Sequence, residues 1–272
     1  RNVEILWRAN YVTNYDLETQ NFPPSLFGNG EVNPTQNFVD AFPMANGYPI
    51  TDIANSQYDE DAPYAGRDPR LTDYVIYNGA KFKNVNINTS VDDPKDGLNV
   101  LTTSTRTGYY LKKLLREDVN LNPAAGRQHF RPLIRYTELF LIYAEAANEA
   151  YGPDNANTAG FSARQAIRAI RQRAGVGGTT ETSDEYLNSL SNLRDIIRNE
   201  RRIELSFEGF RFWDIRRWGN KLDETAKGIK YQGTLYELID VENRVFAPYM
   251  QYGPIPSDQI TKTRNLEQNA GW

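Results

Sequence analysis

Residues Leu193 to Trp218 read LRDIIRNERRIELSFEGFRFWDIRRW. At about 100° per residue, Leu193, Ile196, Ile197, Ile203 and Phe207 share one face of a helix. Glu200 and Glu204 fall among them on that same face. An ionised carboxylate placed there alone is costly, so each needs a cationic partner or a raised pKa. Arg201, Arg202, Arg211, Arg216 and Arg217 stand close by in sequence. The stretch therefore holds either a pair of catalytic acids or an Arg–Glu lattice that fastens helices together. A glycosidase needs two carboxyls roughly 5–9 Å apart on opposite sides of the scissile bond. Side chains four residues apart on one helix project in parallel instead, and neighbouring guanidinium groups depress the pKa that a general acid needs raised. The lattice is the better reading, with Glu200, Glu204, Glu208, Arg211, Asp214 and Arg217 as its members.

Outward from this stretch, residues 131–219 read as a helical core. Leu133 to Tyr151 carries apolar residues at 133, 136, 140, 143 and 147, and Gly152-Pro153 stops it. Ser162 to Gln165 matches a capping box that opens a helix ending at Gly175. Thr182 to Glu185 offers a second box ahead of the long helix. Gly209 separates that helix from a short aromatic one, Phe210 to Trp218. Helix, short loop and helix, with small residues at the contacts, predict a mainly α fold of tetratricopeptide-like hairpins. Residues 1–130 are rich in Asn, Gly, Pro and Tyr and predict long ordered loops around small strands such as Glu4 to Trp7 and Tyr74 to Tyr77. Residues 220–272 predict an irregular tail packed along the scaffold. All three regions are expected to belong to one domain.

Bulk composition narrows the function. The chain has 272 residues, 39% hydrophobic and 24% charged, with a net charge of −4. There is no basic block to serve nucleic acid, and no apolar run near the ~18 residues that a membrane helix needs. The absence of Cys removes disulfides, thiol nucleophiles and cysteine zinc sites. The chain starts at Arg1 and is expected to be a mature or truncated segment. No Lys occurs between Lys113 and Lys221, while 15 Arg do. That bias fits planar, bidentate pairing in confined places.

Chemical motifs are sparse. His129 is the only histidine, and no Gly-x-Ser-x-Gly elbow accompanies it, so a surface or capping role is expected. Asp92-Asp93-Pro94-Lys95-Asp96-Gly97 superficially resembles a calcium loop, but Pro94 occupies a ligand position and Thr103 stands where a bidentate Glu belongs. A turn is the expected outcome, and no metal or other cofactor is implied. The remaining chemistry lies in the first region. Tyr11, Asn14, Tyr15, Asn21 and Phe22 form one polar-aromatic segment, and Tyr48, Tyr58 and Tyr64 lie in later ones. Aromatic faces offer apolar platforms and Asn amides pair a donor with an acceptor, which suits a sugar. The bland alternative is that these aromatics pin loops to the body.

The stretch Arg198 to Leu205, continued by Phe207-Glu208-Gly209-Phe210-Arg211-Phe212-Trp213-Asp214-Ile215-Arg216-Arg217-Trp218-Gly219, closely resembles the SusD/RagB family signature. Pro34 to Phe42, Arg67-Asp68-Pro69-Arg70-Leu71, Arg135 to Asn148, Ala169 to Gly175 and the ending Pro254 to Asn269 resemble further family motifs. Phe210 departs from a common His, and Ala270 from a common Pro. The resemblance covers most of the chain and is to the family's C-terminal half. It implies an outer-membrane, surface-exposed lipoprotein that captures a glycan, or sometimes a peptide. Such a protein lids a SusC-like TonB-dependent transporter and catalyses nothing. It implies an N-terminal half of the same protein as a partner, and an architectural role for the lattice residues. No binding residue carries over by motif. A tetratricopeptide-type protein scaffold is the alternative outside ligand capture, and a glycoside hydrolase is disfavoured.

Overall fold

The structure is a computed structural model that describes residues 3–272. Its first half is built of short pieces: β1 (Ile5–Arg8), β2 (Val12–Asn14), α1 (Asp16–Asn21), α2 (Gln36–Val39), α3 (Ile53–Ser56), α4 (Arg70–Tyr74), β3 (Val75–Ile76), β4 (Lys81–Phe82), β5 (Val85–Asn86), β6 (Tyr110–Leu111), β7 (Asn120–Leu121), β8 (Ala124–Ala125), β9 (Arg127–His129) and β10 (Pro132–Arg135). The strands pair only in twos, all antiparallel: β1 with β10, β2 with β9, β3 with β6, β4 with β5 and β7 with β8. Loops fill the space between, as the turn-rich composition predicts.

The helical layer follows: α5 (Tyr136–Tyr151), α6 (Ala163–Arg173), α7 (Glu185–Ser189), α8 (Arg194–Glu204) and α9 (Arg211–Arg217). Ser162 accepts from Gln165 N while the Gln165 side chain accepts from Ser162 N, so the capping box forms as read. Leu141, Ala144, Ala147, Ala163, Ala166, Ile167, Ile196 and Ile197 make the core between α5, α6 and α8. The small residues let these helices approach closely.

Three boundaries differ from the sequence reading. Residues 132–135 are a strand rather than a first helical turn, because β1 claims them, pairing Ile5 with Arg135 and Trp7 with Ile134. The deep face of α5 is Thr137, Leu141, Ala144, Ala147 and Asn148, which keeps Ala147 of the predicted stripe but is otherwise rotated from it. Phe140 and Tyr143, two of the predicted residues, are half-buried and pack on Phe161. Apolar residues cover both sides of this helix, so periodicity alone misplaced its centre. Finally, Thr182 caps nothing. Asp184 is the N-cap, accepting from Leu187 N, and α7 ends before α8 starts. The break is held by Asn148, whose Oδ1 accepts from Leu193 N at 3.1 Å, and by Asn192, whose Oδ1 accepts from Arg194 N at 2.8 Å.

The last region is more regular than its composition suggests. β11 (Ala226–Gln232) and β12 (Leu235–Glu242) form a hairpin turning at Gly233. It is the longest pairing among the described residues and carries Ile229 and Tyr231 into a second core with Val39, Phe42, Leu71, Tyr109 and Ile203. Gly108 makes this fit possible: its φ is +83°, and a Cβ there would lie 2.1 Å from Ile229 O. A third core joins Phe22, Ile76, Phe82, Ile87, Tyr110 and Val119. Beyond the hairpin, α10 (Ser257–Lys262) interrupts the tail. Gln268 brackets Ile255, accepting from its N at 2.8 Å and donating to its O at 3.0 Å. No helix among the described residues is long and apolar enough to cross a membrane.

Candidate ligand-binding surface

The acids of α8 have partners, but not those nearest in sequence. Glu200 is fully buried, with Arg70 Nη1 2.9 Å from Oε2 and Arg171 Nη1 3.0 Å from Oε1. Glu204 meets Arg70 at 3.2 Å and Arg135 at 3.3 Å, and also takes Arg173. These arginines come from α4, β10 and α6, because residues adjacent to a glutamate on its own helix point to other faces. Burial alone would raise the Glu204 carboxyl, yet Arg173, Arg70, Arg135 and Lys113 outweigh it and hold the group below the usual carboxylate range. Glu208 takes Lys113 and Arg135, each at 2.8 Å. Asp214 takes Arg201 at 2.7 Å and Arg217 at 3.0 Å, and Arg217 continues to Glu145 at 2.6 Å. Every acid is neutralised, so none stands free as a general acid.

Arg211 is the exception and corrects the reading of it as a lattice member. No carboxylate pairs with it among the described residues, and burial lowers its pKa. It opens α9 and lines a separate cavity.

The predicted ligand residues divide. Asn21 and Phe22 are corrected. Asn21 is buried, donating to Leu17 O at 2.9 Å and accepting from Val32 N at 3.2 Å. Phe22 is fully buried against Phe82 in the third core. Neither presents surface to a ligand.

Asn14, by contrast, lines a cleft of about 620 Å³ with Asn10, Gln20, His129, Phe130 and Arg131 among others, and Tyr11 lies next to it, outside the lining. The register of β2 on β9 explains the meeting: Val12 opposes His129, which sets Tyr11 beside Phe130 with ring centroids 5.5 Å apart, edge to face. Arg8 covers one side of the Tyr11 ring at 3.6 Å, yet the side chain stays about half exposed. Tyr15 is exposed next to the cleft, outside its lining. His129 contributes to the lining and sets Nε2 3.2 Å from Oε2 of the buried Glu18, facing an acid rather than a nucleophile. Phe130 was not singled out from the sequence, since only strand pairing brings it across to Tyr11.

Tyr48 and Tyr58 lie elsewhere. Tyr48 lines a second cleft of about 620 Å³ with Asn46, Asn55, Gln57 and Glu185, and packs on Tyr186 at 5.4 Å. Burial and then the nearby Glu185 charge raise its pKa. Asn46 and Asn55 are occupied by Asn55 O, Ser56 O and Asp52. Tyr58 is half-buried under Arg67, whose guanidinium stands 5.4 Å from its ring. The Asp92–Gly97 segment is a turn, with Asp93 accepting from Lys95 N and Asp96 N and Asp96 accepting from Ser25 N.

The SusD family matches residues 4–272. The chain belongs to the SusD family. SusD-like protein P25 of Formosa agariphila is 25% identical over 286 residues, covering 95% of this chain and 46% of that protein. SusD-like protein P38 of the same organism is 30% identical over 130 residues, 48% of this chain and 23% of that one. A SusD-like protein of Bacteroides fragilis superposes with a TM-score of 0.76 at 27% identity, covering 99% of this chain and 54% of its own. Another from the same species, described as a SusD-like carbohydrate binding protein, gives 0.74 at 27% identity, with 94% and 53% covered. This SusD chain thus spans about half the length of the relatives it matches.

Proposed function

We propose that this SusD chain takes part in non-catalytic capture of an oligosaccharide at the cell surface, as part of an outer-membrane lipoprotein that delivers its ligand to a SusC-like TonB-dependent transporter. Family membership supports this, as does the relative described as carbohydrate binding. The single observation that carries the reading is the cleft beside Tyr11. There Phe130, backed by half-exposed Tyr11 at the cleft's edge, adjoins the amides of Asn10 and Gln20 and that of Asn14, which donates to Asp16, the mix of apolar platform and polar groups that a sugar ring uses. The acids that a glycosidase would need free are instead occupied by guanidinium groups. α5 leaves Tyr136, Leu139 and Ile142 exposed, and α9 leaves Phe212 and Trp213 exposed. These fit packing against the N-terminal half of a longer SusD protein.

Isothermal titration against a panel of glycans tests the reading. Tyr11→Ala should weaken binding by roughly 3- to 10-fold, from an aromatic contact worth about 0.5–1.5 kcal/mol. Tyr48→Ala, in the other cleft, should leave it unchanged. Failure of the intact protein to bind any glycan, or cleavage that disappears in Glu204→Gln, would overturn it.

A further inference from the structure

A third cavity, of about 280 Å³, lies between α2, α8, α9 and the segment that leads into β11. Its charge is unbalanced. Arg202, Arg211 and Arg244 all line it, and no carboxylate pairs with any of them among the described residues. Arg202 makes one hydrogen bond, donating to Asn37 O at 2.7 Å. Lys221 also lines the cavity but is paired with Asp223 at 3.5 Å. The one carboxylate in the lining is Glu224, on the exposed rim. Elsewhere Arg70, Arg171 and Arg201, all buried, meet acids within about a hydrogen-bond length, and buried Arg67 is held by the carbonyls of Val39, Phe42 and Pro63. Here half-buried Arg202 and Arg211 and exposed Arg244 border open volume, with the Asn37 carbonyl the one hydrogen-bond acceptor among them.

Two further observations point to a missing ligand group. Ser206 lines the same cavity, is 6% exposed, and its buried hydroxyl has no hydrogen-bond partner. A buried donor left unmade is costly and calls for an acceptor. Burial and then the Arg211 charge push the Arg202 guanidinium down to about 10, as expected where cations crowd without an anion. Phe38 and Phe207, edge to face at 5.3 Å, give the cavity an apolar wall. The amides of Asn33 and Asn37 are already used, on Gly30 O, Arg106 N, Thr225 O and Lys227 N, so the free donors are the guanidinium groups and the serine.

We propose that this cavity is an oxyanion site that takes the carboxylate or sulfate ester of an acidic sugar. The sugar rests on the glycan reading above, while the oxyanion rests only on this cavity. Planar guanidinium groups match the oxygens of either anion bidentately, Ser206 supplies a further donor, and the aromatic wall accommodates the ring. Glu224 would compete with the ligand for the same cations.

The test is titration calorimetry at low and high salt with four probes: sodium sulfate, a uronate oligosaccharide, a sulfated oligosaccharide and a neutral one of equal length. Arg211→Gln and Arg244→Gln are suitable variants because neither residue has a partner to lose, and melting curves confirm that both fold. At least one acidic oligosaccharide should bind about 10-fold tighter than the neutral one, and added salt should erase the difference. Arg211→Gln should bring it down to the neutral level. Glu224→Gln should tighten it by about 3-fold, by removing a competing charge. Equal affinity for acidic and neutral ligands, or an Arg211→Gln variant that keeps the preference, overturns the site. If sulfate binds in an Arg211-dependent way while no oligosaccharide binds, the oxyanion site stands and the glycan reading falls. Neutral binding lost in Tyr11→Ala, with no acid preference, gives the reverse.

Discussion

At the scale of single residues, Glu204 shows how a charge in a core becomes structure. It is 2% exposed, on a face shared with Ile197 and Ile203, and it holds Arg70, Arg135 and Arg173. Removing one member of a buried set leaves the others uncompensated, so Glu204→Ala should cost about 3–5 kcal/mol in urea denaturation. A melting temperature within a degree or so of wild type would contradict this. The pH dependence has a fixed sign. The folded carboxyl titrates below its ordinary value of 4.5, so its contribution is fully present above that value and is lost as pH falls through the folded pKa. The stability gap between wild type and Glu204→Gln should therefore be widest near neutral pH. It should narrow as the pH is lowered from 4.5, as urea melts at stepped pH would show.

At the scale of elements, local signals were legible where they were self-contained. The Ser162–Gln165 box fixes the start of α6 because both of its hydrogen bonds lie within four residues. Ser162→Ala should cost about 1 kcal/mol, read as a lower urea midpoint at unchanged slope. Elements set by distant partners were not legible. β10 is a strand only because β1 pairs with it. The α7–α8 break depends on Asn148, 45 residues before Leu193. The β11–β12 hairpin hides in sequence because the adjacent residues Gly228 and Ile229, on opposite faces, are both buried, which breaks the apolar alternation. The candidate site divides in the same way. Tyr11 and Asn14 lie on or next to a short strand whose residue types suggested ligand contact. Asn21 and Phe22 have the same types but sit where α1 turns inward, and composition does not record which way a loop residue faces.

At the scale of the whole molecule, the loop-rich half and the helical layer meet through buried ions as well as through the second apolar core, which takes Ile203 from α8. Arg171, on α6, donates to Gly47 O at 2.9 Å in the loop half, to Glu200 on α8 at 3.0 Å, and to Asp184 at 2.6 Å. Glu200 then reaches Arg70, which holds Asp68 at 2.6 Å. Neither side can open without leaving unpaired charge in the other, which makes partial unfolding as costly as global unfolding. We therefore expect residues 3–272 to behave as one cooperative domain. Native-state hydrogen exchange checks this. Amides of α5 and α6 and those around Leu71, Val75 and Tyr109 should reach exchange at the same denaturant concentration. Arg171→Met, which strands Asp184 and leaves Glu200 with Arg70 alone, should lower both together by about 3–5 kcal/mol. Exchange in which the loop half opens first, with α5 and α6 still protected, would show two separable units and make the lattice a local clamp on the helices alone.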